Sequence, residues 1–253
     1  MTANFVARET GYEMRGWGHG DRTTQEHFSA IETFPERFED LARTVRMLGF
    51  HAVDIWGGHL NQAWATDEHL AVAGDVIARY ELSVTSYATY VGEGEAERVC
   101  EIATALGTRL LGGLAADLPG VAPILREHEM LLGIENHPEK TPAELLAKIR
   151  EDPGVLGATI DTGWWATQGY DAARAIEELA PHVLHVHLKD VLETGAPHET
   201  CRWGDGIVPI ERCIDALRSI GYDGAITIEH EPETYDPTDD IWAMREELEE
   251  WLA

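Results

Sequence analysis

Short apolar runs of strand length alternate with segments of helical periodicity from Phe50 to the end of the chain. This alternation is typical of repeated strand–helix units, which build a parallel sheet covered by helices. The clearest candidate strands are Ala52–Trp56, Leu82–Tyr87, Arg109–Gly112, Leu131–Glu135, Leu156–Asp161, Val183–Leu188 and Ala225–Glu229. A further strand is expected within Tyr12–Trp17, which gives eight in all.

Eight strands with eight crossovers in 253 residues match the usual size of a closed barrel. The competing architecture is an open doubly wound sheet, which holds nucleotide phosphates in glycine-rich loops. No GxGxxG follows the first strand, and GxxxxGK[ST] is absent. No break in the pattern separates two halves, so we expect one α/β domain over residues 1–253, a (β/α)8 TIM barrel.

The sequence also predicts the form of two kinds of connection between the strands, one crossover and the loops at the strand ends. Between residues 115 and 130, Pro119 and Pro123 leave little room for a full helix, which predicts a short or irregular crossover. Long loops follow three strands, at Gly57–Thr66, Thr162–Tyr170 and Val191–Pro209. Loops at the carboxyl ends of barrel strands carry the chemistry of this fold, so we expect these loops to form the substrate mouth.

Four predicted strands end in a potential metal ligand: Glu135, Asp161, His187 and Glu229. In the eight-stranded barrel these would be strands five to eight. Neighbouring strands lie ~4.8 Å apart, so four successive strand ends can bring their side chains around one cation near the barrel axis. Three carboxylates without a cation would repel one another and raise each other's pKa. The pattern therefore predicts a site for one divalent metal ion.

Oxygen-rich ligation with a single imidazole suits Mn²⁺ best, with Mg²⁺, Co²⁺ or Zn²⁺ as the alternatives. His185 and His187 point to the same side of their strand, and either could be the ligand. We favour His187 because it lies nearer the carboxyl end of the strand. His185 is then either a core histidine or a group that supports the ligand from one layer deeper.

Aromatic and imidazole side chains are frequent around this set. Aromatic faces pack against the C–H faces of sugars, while polar neighbours bind the hydroxyls, so the composition of these loops favours a polyol substrate. Each tryptophan could equally pack between barrel and loops, and Lys189 could equally lie at the surface. The residues that we predict to contact substrate are His19, Trp17, Trp56, His59, His137, Trp164, Lys189 and Arg202.

The charge balance argues against nucleic acid and anionic membranes as partners. With 46 acidic and 19 basic residues the formal net charge is -27, so the overall field repels phosphate backbones and anionic membranes. Cys100, Cys201 and Cys213 form no CxxC pair and no even disulfide framework, which favours a reducing compartment. With no secretory leader and no apolar run near the ~18 residues of a membrane span, we expect a cytoplasmic protein that binds neither nucleic acid nor membrane. Association into a homo-oligomer stays open.

Five short motifs carry a resemblance: Ile134–His137, Ile160–Gly163, His185–Asp190, Gly204–Gly206 and Ile228–Glu231. With them the chain resembles, from about Gly49 to its end, the xylose isomerase-like TIM barrel family of sugar phosphate isomerase/epimerase-like proteins. The family includes ketose 3-epimerases, hydroxypyruvate isomerases, inosose isomerases and dehydratases, and the distant endonuclease IV. The resemblance implies that Glu135, Asp161, His187 and Glu229 bind one divalent metal and that Glu135 and Glu229 also act as acid/base groups.

The first functional hypothesis is a sugar or polyol isomerase or epimerase that works through a metal-bound enediolate. A metal that chelates a carbonyl and an adjacent hydroxyl acidifies the intervening C–H, and two carboxylates can move the proton from one face to the other. One position departs from the pattern. Ketose epimerases that the chain resembles usually carry a His three residues after the second ligand, where this sequence has Trp164.

That departure supports a second hypothesis, a lyase with the same first step. If the enolate expels a β-leaving group, the result is dehydration or elimination from a 3-keto-glycoside, and His19, His59 or His137 could protonate the departing oxygen. An endonuclease IV-like phosphodiesterase would need a basic DNA-binding face, which the charge argues against. A noncatalytic sugar-binding barrel would have little reason to keep three carboxylates at one point.

Overall fold

A parallel sheet forms the centre of the molecule, and its strands pair in chain order. The computed structural model describes residues 1–195 and 198–252, so Ala196 and Pro197 of the predicted loop Val191–Pro209, and Ala253, lie outside the described residues. The sheet strands are β1 (Ala52–Trp56), β2 (Ser83–Val91), β3 (Leu110–Ala115), β4 (Leu131–Glu135), β5 (Leu156–Asp161), β6 (Val183–Leu188) and β9 (Ile226–Ile228). A short antiparallel pair, β7 (Asp190–Val191) and β8 (Thr200–Cys201), follows β6.

Helices follow most strands and cover the sheet, which makes a nearly closed barrel and confirms the predicted TIM-barrel class. In α2, for example, Phe38, Leu41 and Val45 recur at helical spacing and are all buried, because one apolar face packs on the sheet. The helices are α1 (Trp17–Phe28), α2 (Phe34–Met47), α3 (Asp67–Arg79), α4 (Ala96–Leu106), α5 (Leu118–Glu127), α6 (Pro142–Ile149), α7 (Thr162–Thr167), α8 (Ala172–Leu179), α9 (Ile210–Ser219) and α10 (Thr238–Leu252).

The strand expected within Tyr12–Trp17 is wrong. This segment is irregular and leads into α1, and Gly11, Tyr12 and Gly16 all have positive φ, which interrupts an extended chain. The opening between β1 and β9 is bridged instead by a 3₁₀ helix, Thr2–Phe5. The ligand-bearing strands are therefore strands four to seven of the sheet, not five to eight.

Three hydrogen bonds hold this 3₁₀ helix in the opening. Thr2 Oγ1 accepts from the Trp56 amide (2.8 Å) at the end of β1. Asn4 Nδ2 donates to the Ile228 carbonyl (3.2 Å) of β9, and Asn4 Oδ1 accepts from the His230 amide (3.0 Å). The two polar side chains thus satisfy strand groups that an eighth strand would have paired.

The crossover between residues 115 and 130 is also more regular than predicted, since α5 spans ten residues despite its prolines. Pro119 lies in the first turn, where backbone amides have no partner within the helix. Only Pro123 lies inside the helix and removes an internal hydrogen bond. The apolar face formed by Leu118, Val121 and Leu125 is buried and compensates for that loss.

The register of the sheet brings the ends of β4, β5, β6 and β9 to one edge. Glu135 pairs with Thr159, and Asp161 pairs with His187. The Glu229 amide continues the β9 ladder by donating to the Leu188 carbonyl (3.1 Å). Every residue of β5 is buried. Among the residues that the structure describes, no helix is long and apolar enough to cross a membrane.

Candidate metal centre and active site

The four side chains predicted as metal ligands meet at this edge. Glu135, Asp161, His187 and Glu229 each offer a ligand atom, and these atoms all lie within 4.8 Å of one another. Asp161, His187 and Glu229 are buried, whereas Glu135 is half-buried and faces the opening. Three oxygen donors and one imidazole at this spacing form a hard-ligand set for a divalent cation.

Two oxygens of the cluster support this fit. Asp161 Oδ2 and Glu229 Oε2 are buried without a hydrogen bond of regular geometry in the described part of the chain, and each faces an ionisable nitrogen, Lys189 Nζ at 3.0 Å and His187 Nδ1 at 2.8 Å. His187 Nδ1 lies 3.0 Å from Glu135 Oε1 and 2.8 Å from Glu229 Oε2, so this nitrogen faces the carboxylates. Buried carboxylate oxygens need positive charge close by, which these two nitrogens supply when protonated and which a metal ion among the four side chains would also supply.

Lys189 supplies part of the compensating charge from within the cluster. Its Nζ lies 3.0 Å from Asp161 Oδ2, 2.6 Å from Glu229 Oε1 and 3.2 Å from Glu231 Oε2, and the side chain is buried. Burial alone would lower the pKa of Lys189, but Asp161 and the two glutamates outweigh it and raise that pKa well above its ordinary value. Lys189 is therefore a fixed internal cation and not a surface residue.

The same charges give the two buried carboxyl groups different pKa values. Burial, followed by repulsion from Glu229 and Glu135, raises the pKa of Asp161 to about 7 even though Lys189 opposes it. Burial also favours the neutral form of Glu229, but Lys189 and His187 prevail and hold its pKa below the ordinary value. Burial would lower the pKa of His187, yet Glu229 and further acidic neighbours raise it well above its ordinary value. Without a metal, the cluster thus retains protons on His187 and partly on Asp161.

Asp54, on β1, lies beneath the cluster and was not predicted. Its Oδ2 lies 2.7 Å from His185 Nε2, accepts from Thr227 Oγ1 at 2.7 Å, and is 3.4 Å from His187 Nε2. Asp54, His185 and His187 also lie close enough together to be a second candidate metal set. Because Asp54 Oδ2 already accepts hydrogen bonds from its neighbours, we interpret this group as support for the His187 ring.

Asp161 ends β5, and Thr162 and Gly163 begin α7 directly beside the cluster. Thr162 Oγ1 accepts from the Lys189 amide and donates to the Lys189 carbonyl, both at 2.8 Å. Asn136, just after β4, pairs through its side-chain amide with both backbone groups of Asp161, at 2.9 and 2.7 Å. These side chains lock three neighbouring strand ends together. Asp161 also caps α7, since its Oδ1 accepts from the Trp164 amide (2.9 Å).

An open chamber of about 170 Å³ leads from the surface to Glu135, His187 and Glu229. Trp17 and Trp56 lie at its wall with ring centroids 5.5 Å apart, and 43% of Trp17 is exposed. These two predicted contact residues therefore present an aromatic surface beside the cluster, which suits the C–H face of a sugar.

The other predicted contact residues lie in different surroundings. His59 is buried with its ring edge-on to Phe28 and Trp56, and burial lowers its pKa to about 3. His19 lies in α1, where its Nδ1 accepts from the Arg15 amide (3.2 Å). Arg202 pairs with Glu247 of α10 (2.7 Å). The structure does not bring these side chains to the chamber wall.

Trp164 lies between two imidazoles. The His137 ring centroid is 3.8 Å from that of Trp164, and the His198 ring stacks on Trp164 at 4.2 Å with an interplanar angle of 10°. Lys189 Nζ lies 5.8 Å from the Trp164 ring centroid. With its faces occupied, Trp164 acts as part of a wall and not as a platform for a sugar. His198, which the sequence analysis missed, belongs to the same wall.

Comparison with known proteins places these motifs in a family. The sequence profile of the xylose isomerase-like TIM barrel matches residues 42–252. The uncharacterised protein MJ1311 of Methanocaldococcus jannaschii is 28% identical over 132 residues, which cover 49% of this chain and 44% of that protein. The uncharacterised protein YihM of Escherichia coli is 22% identical over 216 residues, 76% of this chain and 66% of that protein. The chain thus spans less than two thirds of either relative.

Solved structures share the architecture. The probable 3-DHS dehydratase AsbF of Bacillus anthracis superposes with a TM-score of 0.70 at 16% identity, covering 84% of this chain and 93% of that one. A xylose isomerase-like TIM barrel protein from Mycobacterium smegmatis, in complex with magnesium, gives 0.68 at 17% identity, covering 86% and 89%. The 3-keto-D-glucoside 4-epimerase YcjR of E. coli gives 0.67 at 18% identity, covering 85% and 95%. At these identities the likeness shows the fold alone.

Proposed function

The chain belongs to the xylose isomerase-like TIM barrel family, and on that premise we propose that it is a divalent-metal-dependent isomerase or epimerase of a sugar or related polyol. One observation carries the proposal: two carboxylates, Glu135 and Glu229, border the same chamber and flank the same nitrogen of His187. Two such groups can remove a proton beside a carbonyl and return it at another face or carbon. Solved structures with this fold include epimerases and a dehydratase.

The metal would be held by Glu135, Asp161, His187 and Glu229, with Mn²⁺ favoured and Mg²⁺, Co²⁺ or Zn²⁺ as alternatives. When bound, it supplies the positive charge that acidifies a C–H between a carbonyl and a hydroxyl and stabilises the resulting negative charge. Asp54 Oδ2, 3.4 Å from His187 Nε2, would orient the His187 ring from the side away from these carboxylates.

We assign the proton transfers to Glu135 and Glu229. Glu229 is kept ionised by Lys189 and by His187, so it is ready to act as an acceptor. Glu135, half-buried at the chamber, reaches the same space from the end of β4, with β5 and β6 between it and β9. Trp17 and Trp56 orient the sugar by covering one of its apolar faces.

A lyase with the same first step is the second candidate. The observation that favours it is Trp164, which stands where the ketose epimerases that the sequence resembles carry a His and whose faces are covered by His137 and His198. An indole in this wall cannot hold a substrate oxygen as an imidazole would. A dehydratase is also among the solved structures that share the fold.

Proton NMR in D₂O tests both candidates. The Mn²⁺-loaded protein is incubated with ketoses, inososes and 3-keto-glycosides, and Mn²⁺ is exchanged for Mg²⁺ or removed before spectra are recorded. Deuterium at a carbon beside the carbonyl together with an isomeric product supports the isomerase or epimerase. An unsaturated ketone or a released aglycone supports the lyase. No deuterium and no product from any substrate would contradict both.

Glu135→Gln and Glu229→Gln identify the proton-transfer groups. We expect each to lower kcat by about 10²–10⁴-fold, since an amide cannot accept the proton. Metal content is measured for each variant, because both side chains are also proposed ligands. Glu127→Gln, an exposed residue of α5, is the matched control and retains full activity. Full activity in both site variants would contradict the assignment.

A further inference from the structure

A second cavity adjoins the catalytic chamber. It has a volume of about 290 Å³ and lies between residues 198–200 and the loop 231–235, and we call it the side pocket. Glu231 lines both the side pocket and the chamber, so the two share a wall. The Glu231 amide also donates to Thr200 Oγ1 (3.0 Å), which ties the two sides of the side pocket together at this point.

The chamber alone is small for a substrate. Its volume of about 170 Å³ lies below the ~300–1,000 Å³ of most small-molecule sites. The side pocket, about 290 Å³, is larger than the chamber and lies on the far side of Glu231, the residue that lines both. A molecule that fills both spaces would place one sugar unit at Glu135 and Glu229 and a second group beyond Glu231.

The lining of the side pocket indicates what that second group is. Glu199 and Thr234 line it with a carboxylate and a hydroxyl, which suit a hydroxyl-rich ligand, whereas the hydroxyls of Thr200 and Tyr235 already bond to the Glu231 amide and to Asp240. His198 adds a buried Nε2 that has no hydrogen-bond partner among the described residues. Burial, followed by the charge of Lys189, lowers the pKa of His198 to about 3, so its ring is neutral near pH 7. A neutral imidazole can donate to or accept from a sugar hydroxyl.

The charges of both linings exclude a phosphate. Within the part of the chain that the structure describes, neither the chamber nor the side pocket is lined by Lys or Arg. Lys189 is already surrounded by Asp161, Glu229 and Glu231, and the amino group of Met1, a residue that lines the chamber, is bonded to the Ile228 carbonyl (2.9 Å). Glu199 and Glu233 of the side pocket would repel a second anionic group.

On the basis of the proposed function, we propose that the substrate is a keto-sugar that carries a second, uncharged and hydroxyl-rich group, as in a glycoside, and that this group occupies the side pocket against His198. A free or phosphorylated monosaccharide would fill the chamber alone.

The test compares deuterium exchange beside the carbonyl for three probes on the Mn²⁺-loaded protein: a 3-keto-disaccharide, free 3-ketoglucose and 3-ketoglucose 6-phosphate. We expect kcat/KM to be at least about tenfold higher for the disaccharide than for the free sugar, the difference that one or two neutral hydrogen bonds make. The phosphate should react most slowly. Equal kcat/KM for disaccharide and free sugar, or a preference for the phosphate, would overturn the inference while the proposed function stands.

Two variants test whether the side pocket is the source of the preference for the disaccharide. Thr234→Trp, at an exposed position of the side pocket, should fill it and reduce the disaccharide preference to near unity. His198→Phe keeps a ring on Trp164 but removes Nε2, and should raise KM for the disaccharide with little change in kcat. Ser219→Trp, at an exposed position on α9, is the bulk-matched control and should keep the wild-type preference. A preference unchanged by Thr234→Trp would place the second group elsewhere and overturn the inference.

Absence of exchange with every probe would overturn the proposed function and this inference with it.

Discussion

Asp54 shows how a single buried carboxylate can organise two histidines. It is fully buried beneath the four candidate ligands, with His185 Nε2 and Thr227 Oγ1 both 2.7 Å from Oδ2. Burial alone would raise its pKa, but His185 and His187 hold it well below the ordinary value. The ionised Asp54 is therefore suited to fix the His187 ring with Nδ1 toward the carboxylates above.

Asp54→Asn should weaken metal binding without changing a ligand. The amide keeps the size of the side chain but loses the charge, so we expect the Kd for Mn²⁺ to rise by about 10–100-fold, as is common when such supporting groups are removed. Isothermal titration calorimetry measures the Kd. Asp75→Asn, at an exposed position of α3, serves as the control and should bind as the wild type does. Wild-type affinity in Asp54→Asn would rule out this supporting role.

At the residue scale, the sequence predicted the four candidate metal ligands but not Asp54 or His198. Glu135, Asp161, His187 and Glu229 each end an apolar run, and this regularity predicted their convergence. Asp54 lies inside its strand, so nothing in the periodicity marks it as a site residue. His198 follows no strand end, and its stacking on Trp164 depends on how the loop folds back. Contacts of this kind follow from tertiary packing, which a single sequence does not reveal.

Among the elements, the β5–α7 turn and the end of β6 depend on each other. A Cβ at Gly163 would lie 2.7 Å from Lys189 Cγ and 2.8 Å from Cδ, so only glycine leaves room for the buried lysine. Thr162 clamps the backbone of the same lysine. The internal cation is thus positioned by two neighbours of Asp161.

Gly163→Ala should displace Lys189 and damage both stability and activity. Overpacking of this kind costs about 1–3 kcal/mol, which should appear as a lower Tm, and the displaced cation should also lower kcat/KM. Gly154→Ala is the control, because its Cβ would meet only Asp152 Oδ1 at 3.4 Å in an exposed turn. If Gly163→Ala matched Gly154→Ala in both Tm and kcat/KM, the close packing on Lys189 would be refuted.

The opening between β1 and β9 marks the limit of the sequence-based topology. Tyr12–Trp17 has the aromatic content of a strand, but the positive φ of Tyr12 and Gly16 keeps the chain from extending. The 3₁₀ helix Thr2–Phe5 takes the place of the strand through side-chain hydrogen bonds of Thr2 and Asn4. Such side-chain to backbone pairing has no periodic signature, which is why the expected eight strands became seven.

Asn4→Ala should loosen this closure. The substitution leaves the His230 amide without its partner, at a cost of about 1–3 kcal/mol for that buried group, and removes one of two donors to the Ile228 carbonyl, which keeps the Met1 amino group at 2.9 Å. Urea unfolding measures the loss. Asn61→Ala, which removes one hydrogen bond to the Ala63 amide in a loop, should cost less than about 1 kcal/mol. An equal loss in both variants would contradict the closing role of Asn4.

At the scale of the whole molecule, a few of the 46 acidic residues of this chain lie together at one buried point, where their like charges repel one another. Asp54, Asp161, Glu229 and Glu231 lie in or beside the cluster, and the nearby cations are Lys189 and, when protonated, His187. A divalent ion would replace the proton on His187 and the partial proton on Asp161 as the compensating charge. Metal binding at this cluster would therefore release protons.

The pH dependence of metal binding follows from that linkage. Without metal, the pKa of Asp161 is raised by burial to about 7, and the pKa of His187 lies well above its ordinary value because the attraction of Glu229 and other acidic neighbours exceeds the effect of burial. Both groups must lose their protons to become ligands. We therefore expect the affinity for Mn²⁺ to rise with pH between 6 and 8, and fewer protons to be released at pH 8 than at pH 6, because Asp161 is mostly ionised by then.

Calorimetric titrations in buffers of different ionisation enthalpy count these protons. The sign is fixed: a group that is protonated in the free protein and deprotonated in the complex makes binding tighter as pH rises, until the pH exceeds its free-state pKa. Asp161 should stop contributing above about pH 7, and His187 should continue to contribute beyond it. Binding that released no protons, or that weakened as the pH rose, would show that Asp161 and His187 are not ligands.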